Sequence, residues 1–118
     1  MDKSQYLEKA LEWANAKPVS SLKAVADDYE APNAFKSTTS DETIQPDISY
    51  VSLHGAKHYL DIALKDDDPQ KLVTRWKLLS LMASMKRGKL HLLAPKGHKQ
   101  FTQKLVNKYS INALIHSL

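Results

Sequence analysis

The apolar positions near the start of the chain recur with the period of a helix: Tyr6, Leu7, Ala10, Leu11 and Trp13 or Ala14 fall on one side, with Glu8, Lys9 and Glu12 between them. Pro18 stops the run, so the spacing predicts a helix over 3–16. The next stretch, VSSLKAVADDYEAP, satisfies two periods at once: Leu22, Val25, Ala26 and Tyr29 suit a helix, and Leu22, Ala24 and Ala26 alternate as in a strand. From 33 to 45, Ser, Thr, Asn and acidic residues dominate with few apolar anchors, the makeup of a mobile loop. After Pro46 the segment DISYVSLHGAKHYLDIALK divides into two strands, one on Ile48, Tyr50, Val51 and Leu53, the other on Tyr59, Leu60, Ile62 and Leu64. His54-Gly55-Ala56-Lys57 forms the turn of this hairpin.

Asp68 before Pro69 reads as an N-cap with proline at the first helical position, and Gly88 as the C-terminal stop. Leu72, Trp76, Leu79 and Ala83 form the buried stripe of that helix, and Leu78, Leu81, Met82 and Met85 broaden it, as expected of a helix packed on a sheet. KLHLLA is a short apolar strand, and Pro95-Lys96-Gly97 turns the chain into a last helix carrying Phe101, Leu105, Val106 and Tyr109. A strand or helix over 111–115 follows. With 20–29 taken as a strand, the order is α-β-β-β-α-β-α: a single α/β (α+β) domain over 1–118 with a small mixed sheet flanked by helices. With 20–29 taken as helical, 20–36 becomes a helix-turn-helix-like element.

The 118 residues suffice for one hydrophobic core, and 42% hydrophobic with 25% charged residues is an ordinary globular composition. The absence of cysteine excludes a disulfide framework, a thiolate zinc site and a cysteine nucleophile. The charged start MDKSQYLEKALEW does not read as a signal peptide, and no apolar run approaches a membrane span, so a cytoplasmic protein with no membrane association is expected. The net charge of +4 hides an asymmetry, because the chain from Pro69 onward holds ten Lys and Arg and no Asp or Glu. Such a block can collect a polyanion or an acidic protein partner through Coulomb attraction and counterion release.

Pro46-Asp47 opening one strand and Asp61 inside the next, fourteen residues on, resemble the Pro-Asp…Asp/Glu-x-Lys motif of the restriction-endonuclease-like superfamily, whose core order is also α-β-β-β-α-β. The resemblance runs from the first helix to the strand at Leu90. It implies that Asp47 and Asp61 hold Mg²⁺, that a lysine activates the attacking water, and that the partner is nucleic acid, DNA rather than RNA. Glu8 or Glu12 would match the extra acidic residue of some members. The sequence departs at Ala63, where the motif has lysine. Lys65 is the nearest substitute, on the same side of a strand but about 7 Å further along it. Either the lysine has moved, to Lys65, Lys57 or the following helix, or hydrolysis has been lost and binding kept.

The chemistry agrees with the motif. Phosphodiester hydrolysis needs a divalent cation to offset developing charge and to acidify a bound water. Mg²⁺ takes one or two carboxylates and fills its octahedron with water and phosphate, so aspartates within about 6 Å of each other could share one ion. Lys71, Arg75 and Lys77 flank the buried stripe of the helix after Asp61 and are candidate phosphate contacts. Lys96 and Lys99 lie in a strand-to-helix turn, where free N–H groups favour phosphate, although P-loop glycines are missing. Asp66-Asp67-Asp68 precedes a helix and is expected to cap it. Among the five histidines, His54 and His58 are four residues apart but in a hairpin rather than on a helix, so a zinc site is not expected, and Trp13 and Trp76 sit on apolar stripes as core residues.

Overall fold

Asp68 and Pro69 start the central helix as the sequence requires. Asp68 is extended (φ −63°, ψ 118°), and its carboxylate accepts a hydrogen bond from the Gln70 N–H at 3.0 Å. The computed structural model describes residues 3–36 and 42–118. Its helices are α1 (Ser4–Asn15), α2 (Pro69–Met85) and α3 (Lys99–Lys108). Strands β1 (Val19–Ala24), β4 (Ile48–Ser52), β5 (Lys57–Ile62), β6 (Leu90–Ala94) and β7 (Ala113–Ser117) form one sheet in that spatial order. Short strands β2 (Phe35–Lys36) and β3 (Thr43–Ile44) pair as a separate hairpin. The chain is thus a single α/β domain with a mixed sheet: β1, β4 and β5 form an antiparallel meander, and β6 and β7 run parallel to β5.

The ambiguous stretch is a strand over 19–24, and no helix-turn-helix forms at 20–36. Its mixed periodicity comes from a bulge between Ser20 and Lys23, where Ser21 takes φ +51° and the pairing with β4 shifts. The segment 33–45 is more anchored than its composition suggests. Ile44 is buried, and the Phe35 ring meets Tyr59 edge-on at 5.6 Å. Residues 37–41 of that segment lie outside the described residues. The C-terminal element is the strand β7, not a helix.

The sheet separates two apolar clusters. On one face Ala10 and Ala14 of α1 pack on Ala24, Ile48, Tyr50, Leu60, Ile62 and Leu93. On the other, α2 and α3 cover Tyr59, Leu90 and Leu92 with Leu72, Trp76, Leu79, Leu105 and Val106. Leu81 and Met85 do not belong to this face. They are 56% and 66% exposed, because the α2 surface turned to the core is the Leu72-Trp76-Leu79-Ala83 stripe with Val73, Leu78 and Met82 beside it. Gly88 ends the turn after α2 in a way the stop signal did not foresee. Arg87 takes the left-handed conformation (φ +63°), and a Cβ on Gly88 would lie 1.6 Å from the Lys57 carbonyl oxygen. The glycine lets the α2–β6 turn touch the start of β5, where Lys57 N–H donates to the Lys86 carbonyl at 3.2 Å. Among the described residues, no helix is long and apolar enough to cross a membrane.

Candidate functional site

Asp47 precedes β4 and Asp61 lies near the end of β5, so the antiparallel pairing brings them to the same end of the hairpin. The Asp47 carboxylate accepts from the Ile62 N–H at 2.8 Å, tying it to the strand that bears Asp61. The two carboxylates meet, and the cation they share is one of the protein's own. Lys3, at the start of α1, places Nζ 3.2 Å from Asp47 Oδ2 and 3.4 Å from Asp61 Oδ1.

Asp61 is fully buried, and donors surround it. Arg75 approaches side-on, with Nε 2.8 Å from Oδ2 and Nη2 2.7 Å from Oδ1, and Trp76 Nε1 donates to Oδ2 at 2.9 Å. With Lys3, these fill the four or so lone-pair positions of a carboxylate. Arg75 also donates to the Gln45 carbonyl and stands 4.0 Å from Asp47 Oδ1, so one guanidinium spans both sides of the site.

Titration follows from this geometry. For Asp61, burial raises the carboxyl pKa, but the charges of Lys3 and Arg75 and the Arg75 hydrogen bonds outweigh it and hold the group well below the usual range. Asp47 moves the other way, up to about 7, because it is buried beside the Asp61 charge with only partial relief from Lys3. Burial opposes the charged forms of Lys3 and Arg75 as well, yet the aspartates hold both more firmly protonated than usual. A cavity of about 210 Å³ opens beside Asp47 and Lys3, walled by Ser4, Leu7, Val25 and Ile62.

The donor set decides whether Mg²⁺ suits this pair. A cation on Asp61 would need lone pairs that Arg75, Lys3 and Trp76 occupy, and it would add two positive charges where two carboxylates already face one ammonium and one guanidinium. The residues as arranged do not fit a resident Mg²⁺.

The other sequence candidates are more dispersed. Lys65 lies exposed beyond the last residue of β5, so the strand alternation that would aim it at Asp61 has ended, and its backbone N–H donates to His98 Nδ1 at 2.9 Å. The lysine that meets the two aspartates is Lys3, which was not among the sequence candidates. Lys71 and Lys77 are exposed on α2, the latter with Nζ 5.8 Å from the centre of the Tyr109 ring. Arg75 is committed to Asp61. Lys96 is exposed in the turn before α3, and Lys99 Nζ donates to Ser117 Oγ at 3.0 Å.

One constellation escaped the sequence reading altogether. His58, His91 and His116 lie on β5, β6 and β7 and form a hydrogen-bonded row across the sheet on the α1 side. His58 Nδ1 is 3.1 Å from His91 Nε2, and His91 Nδ1 is 3.0 Å from His116 Nε2. Tyr50 stacks on His58 at 4.9 Å, and Trp13 lies 4.7 Å from the His116 ring. The only sequence signal was parity: His58 alternates with Leu60 and Ile62, and His91 with Leu93. Adjacency across three strands needs the register.

Comparison with family models, with curated proteins and with solved structures finds no match to this chain.

Proposed function

We propose that this cytoplasmic domain contacts nucleic acid, DNA in preference to RNA, on a nuclease-like scaffold, and that it binds without cleaving. The observation that carries the reading is the meeting of Asp47 and Asp61 on Lys3 Nζ. An aspartate just ahead of β4 and one within β5 converge in an α-β-β-β-α-β arrangement, as the resemblance to the restriction-endonuclease-like superfamily implies. The positions a catalytic Mg²⁺ would need are occupied by Lys3, Arg75 and Trp76, which supports the noncatalytic form. The basic, acid-free stretch from Pro69 onward supports a polyanionic partner, with exposed Lys71, Lys77 and Lys96 as phosphate contacts.

Fluorescence anisotropy with a duplex DNA, its RNA counterpart and a salt series tests the binding half. The expected result is tighter binding to DNA and an affinity whose logarithm falls linearly with the logarithm of salt concentration. Negligible affinity at low salt overturns the reading and leaves an acidic protein partner as the alternative. Incubating the same DNA with Mg²⁺ or Mn²⁺ tests the other half. Intact DNA is expected, and cleavage that disappears in Asp47→Asn would establish hydrolysis instead.

A further inference from the structure

Lys89 N–H donates to His58 Nδ1 at 3.2 Å, and a backbone amide can only donate. His58 Nδ1 must therefore be an acceptor, which puts the ring hydrogen of neutral His58 on Nε2. The same logic passes along the row. With the one lone pair of His58 Nδ1 shared between two donors, Lys89 N–H and His91 Nε2–H, His91 Nδ1 is an acceptor and receives the Nε2–H of His116. One backbone amide thus sets the tautomers of three imidazoles. The atom left over is His58 Nε2–H, for which no partner is present among the described residues.

His58 lines a cavity of about 300 Å³ with Lys17, Pro18, Val19, Tyr50, Ser52, Leu53 and His54. The size is at the lower end for small-molecule sites. The cavity lies at the opposite end of β4 and β5 from the aspartate pair, and on the sheet face opposite the one that Asp61 shares with Trp76. No Asp or Glu is among its lining residues. Lys17 Nζ sits 4.2 Å above the Trp13 ring, which sets the ammonium beside the histidine row. Ser52 Oγ accepts from Ala56 N–H at 3.2 Å, leaving its hydroxyl hydrogen free to donate. Leu53, 71% exposed, provides with Val19 and Pro18 an apolar rim.

We propose that this cavity is a binding site for a small phosphate monoester, whose anionic oxygens are received by Lys17 and the His58 Nε2–H and whose organic part rests on Leu53, Val19 and Pro18. Tyr50 stacking and the His91 and Lys89 hydrogen bonds hold the His58 ring in one orientation, so the donor is in place before the ligand arrives. The electrostatics favour an anion. Burial and the charges of Lys17 and Lys89 depress the His58 pKa, and a bound anion relieves that crowding of positive charge. The site does not depend on the nucleic-acid reading, because its residues are separate from the aspartate pair and from Lys71, Lys77, Lys96 and Lys99.

Histidine side-chain ¹⁵N spectra of the full chain provide the test, with inorganic phosphate, phenyl phosphate and a single-stranded DNA oligonucleotide lacking terminal phosphates as probes. Without ligand, all three row histidines should give the Nε2–H signature. Phenyl phosphate should shift the His58 Nε2 resonance saturably and bind more tightly than inorganic phosphate. Lys17→Gln, at an exposed position, should weaken phenyl phosphate binding at least tenfold, and Lys104→Gln on α3 should leave it unchanged. No saturable shift, equal weakening in both variants, or equal affinity for the two phosphates overturns the proposal. A His58 response to the oligonucleotide but not to phenyl phosphate also overturns it and assigns the cavity to a nucleic-acid backbone.

Discussion

Arg75 holds Asp61 through two hydrogen bonds, Nε to Oδ2 at 2.8 Å and Nη2 to Oδ1 at 2.7 Å, inside a site where Asp61 has no solvent exposure. A paired, side-on guanidinium–carboxylate contact is among the strongest polar arrangements available to a protein. It follows that the pair cannot lose one member cheaply, because the survivor would remain charged and buried.

Replacing Asp61 by alanine is therefore expected to destabilise the fold by about 3–5 kcal/mol, with Arg75 and Lys3 left facing each other. Asp47→Asn is expected to be nearly neutral at pH 7, since an amide oxygen can still accept from the Ile62 N–H. Urea unfolding of the two variants checks the contrast. Equal losses would mean that the aspartates share the burden, contrary to the hydrogen-bond pattern.

The pH dependence separates two buried groups of opposite sign. Asp47 is raised to about 7, so its stabilising contribution is complete below the ordinary value of 3.8 and is lost as pH rises through 7. His91 is lowered to about 3, by burial and then by His116, His58 and Lys17, so its contribution is complete above 6.5 and is lost as pH falls toward 3. Below pH 6.5 the two oppose each other. Between pH 6.5 and 8 the Asp47 slope remains, and stability should fall by about 1 kcal/mol. Asp47→Asn should abolish that fall, as measured by chemical denaturation at a series of pH values. A wild-type curve that rises over this interval contradicts the assignment.

Gly88 is expected to tolerate no side chain. In Gly88→Ala the new methyl would meet the Lys57 carbonyl, which is backbone and cannot swing aside. The α2–β6 turn must lift from β5, at a cost of about 3 kcal/mol. Hydrogen exchange should show the Lys57 and Tyr59 amides, which donate to the Lys86 and Lys89 carbonyls, losing protection first. Unchanged protection there would refute the packing argument.

Two of the three consecutive aspartates before α2, Asp66 and Asp68, should differ in effect. Asp68 caps the helix through Gln70 N–H, so Asp68→Ala should cost about 1 kcal/mol. Asp66, exposed ahead of the helix, should cost less than about 0.5 kcal/mol on the same change. Thermal unfolding of the two variants distinguishes a cap from general acidity near a helix start.

Much of the architecture was legible in the chain because it depends on local physics. Pro18, Asp68-Pro69 and Pro95-Lys96-Gly97 punctuate the elements, and period-2 runs around Ile48 and Leu60 declare the meander. The misreadings arose where tertiary contact overrode a local signal. The bulge at Ser20–Lys23 scrambled the alternation of β1. Ile44 and Phe35 anchored a segment whose composition reads as loop. Leu81 and Met85 stayed exposed although apolar.

The same division holds at the sites. By itself the sequence determined that Asp47, just ahead of one strand, and Asp61, inside the next, would lie at the same end of a hairpin, because hairpin spacing and alternation are properties of neighbouring residues. Only the tertiary structure decided what meets them. Lys3 comes from the N-terminal cap of α1, forty-four residues before Asp47, and Arg75 from α2, the helix after β5. Which side chains neutralise a buried carboxylate depends on how helices cross a sheet face, and no local period encodes that. The histidine row is the extreme case: three residues unrelated in sequence become one hydrogen-bonded unit once parallel strands set their register.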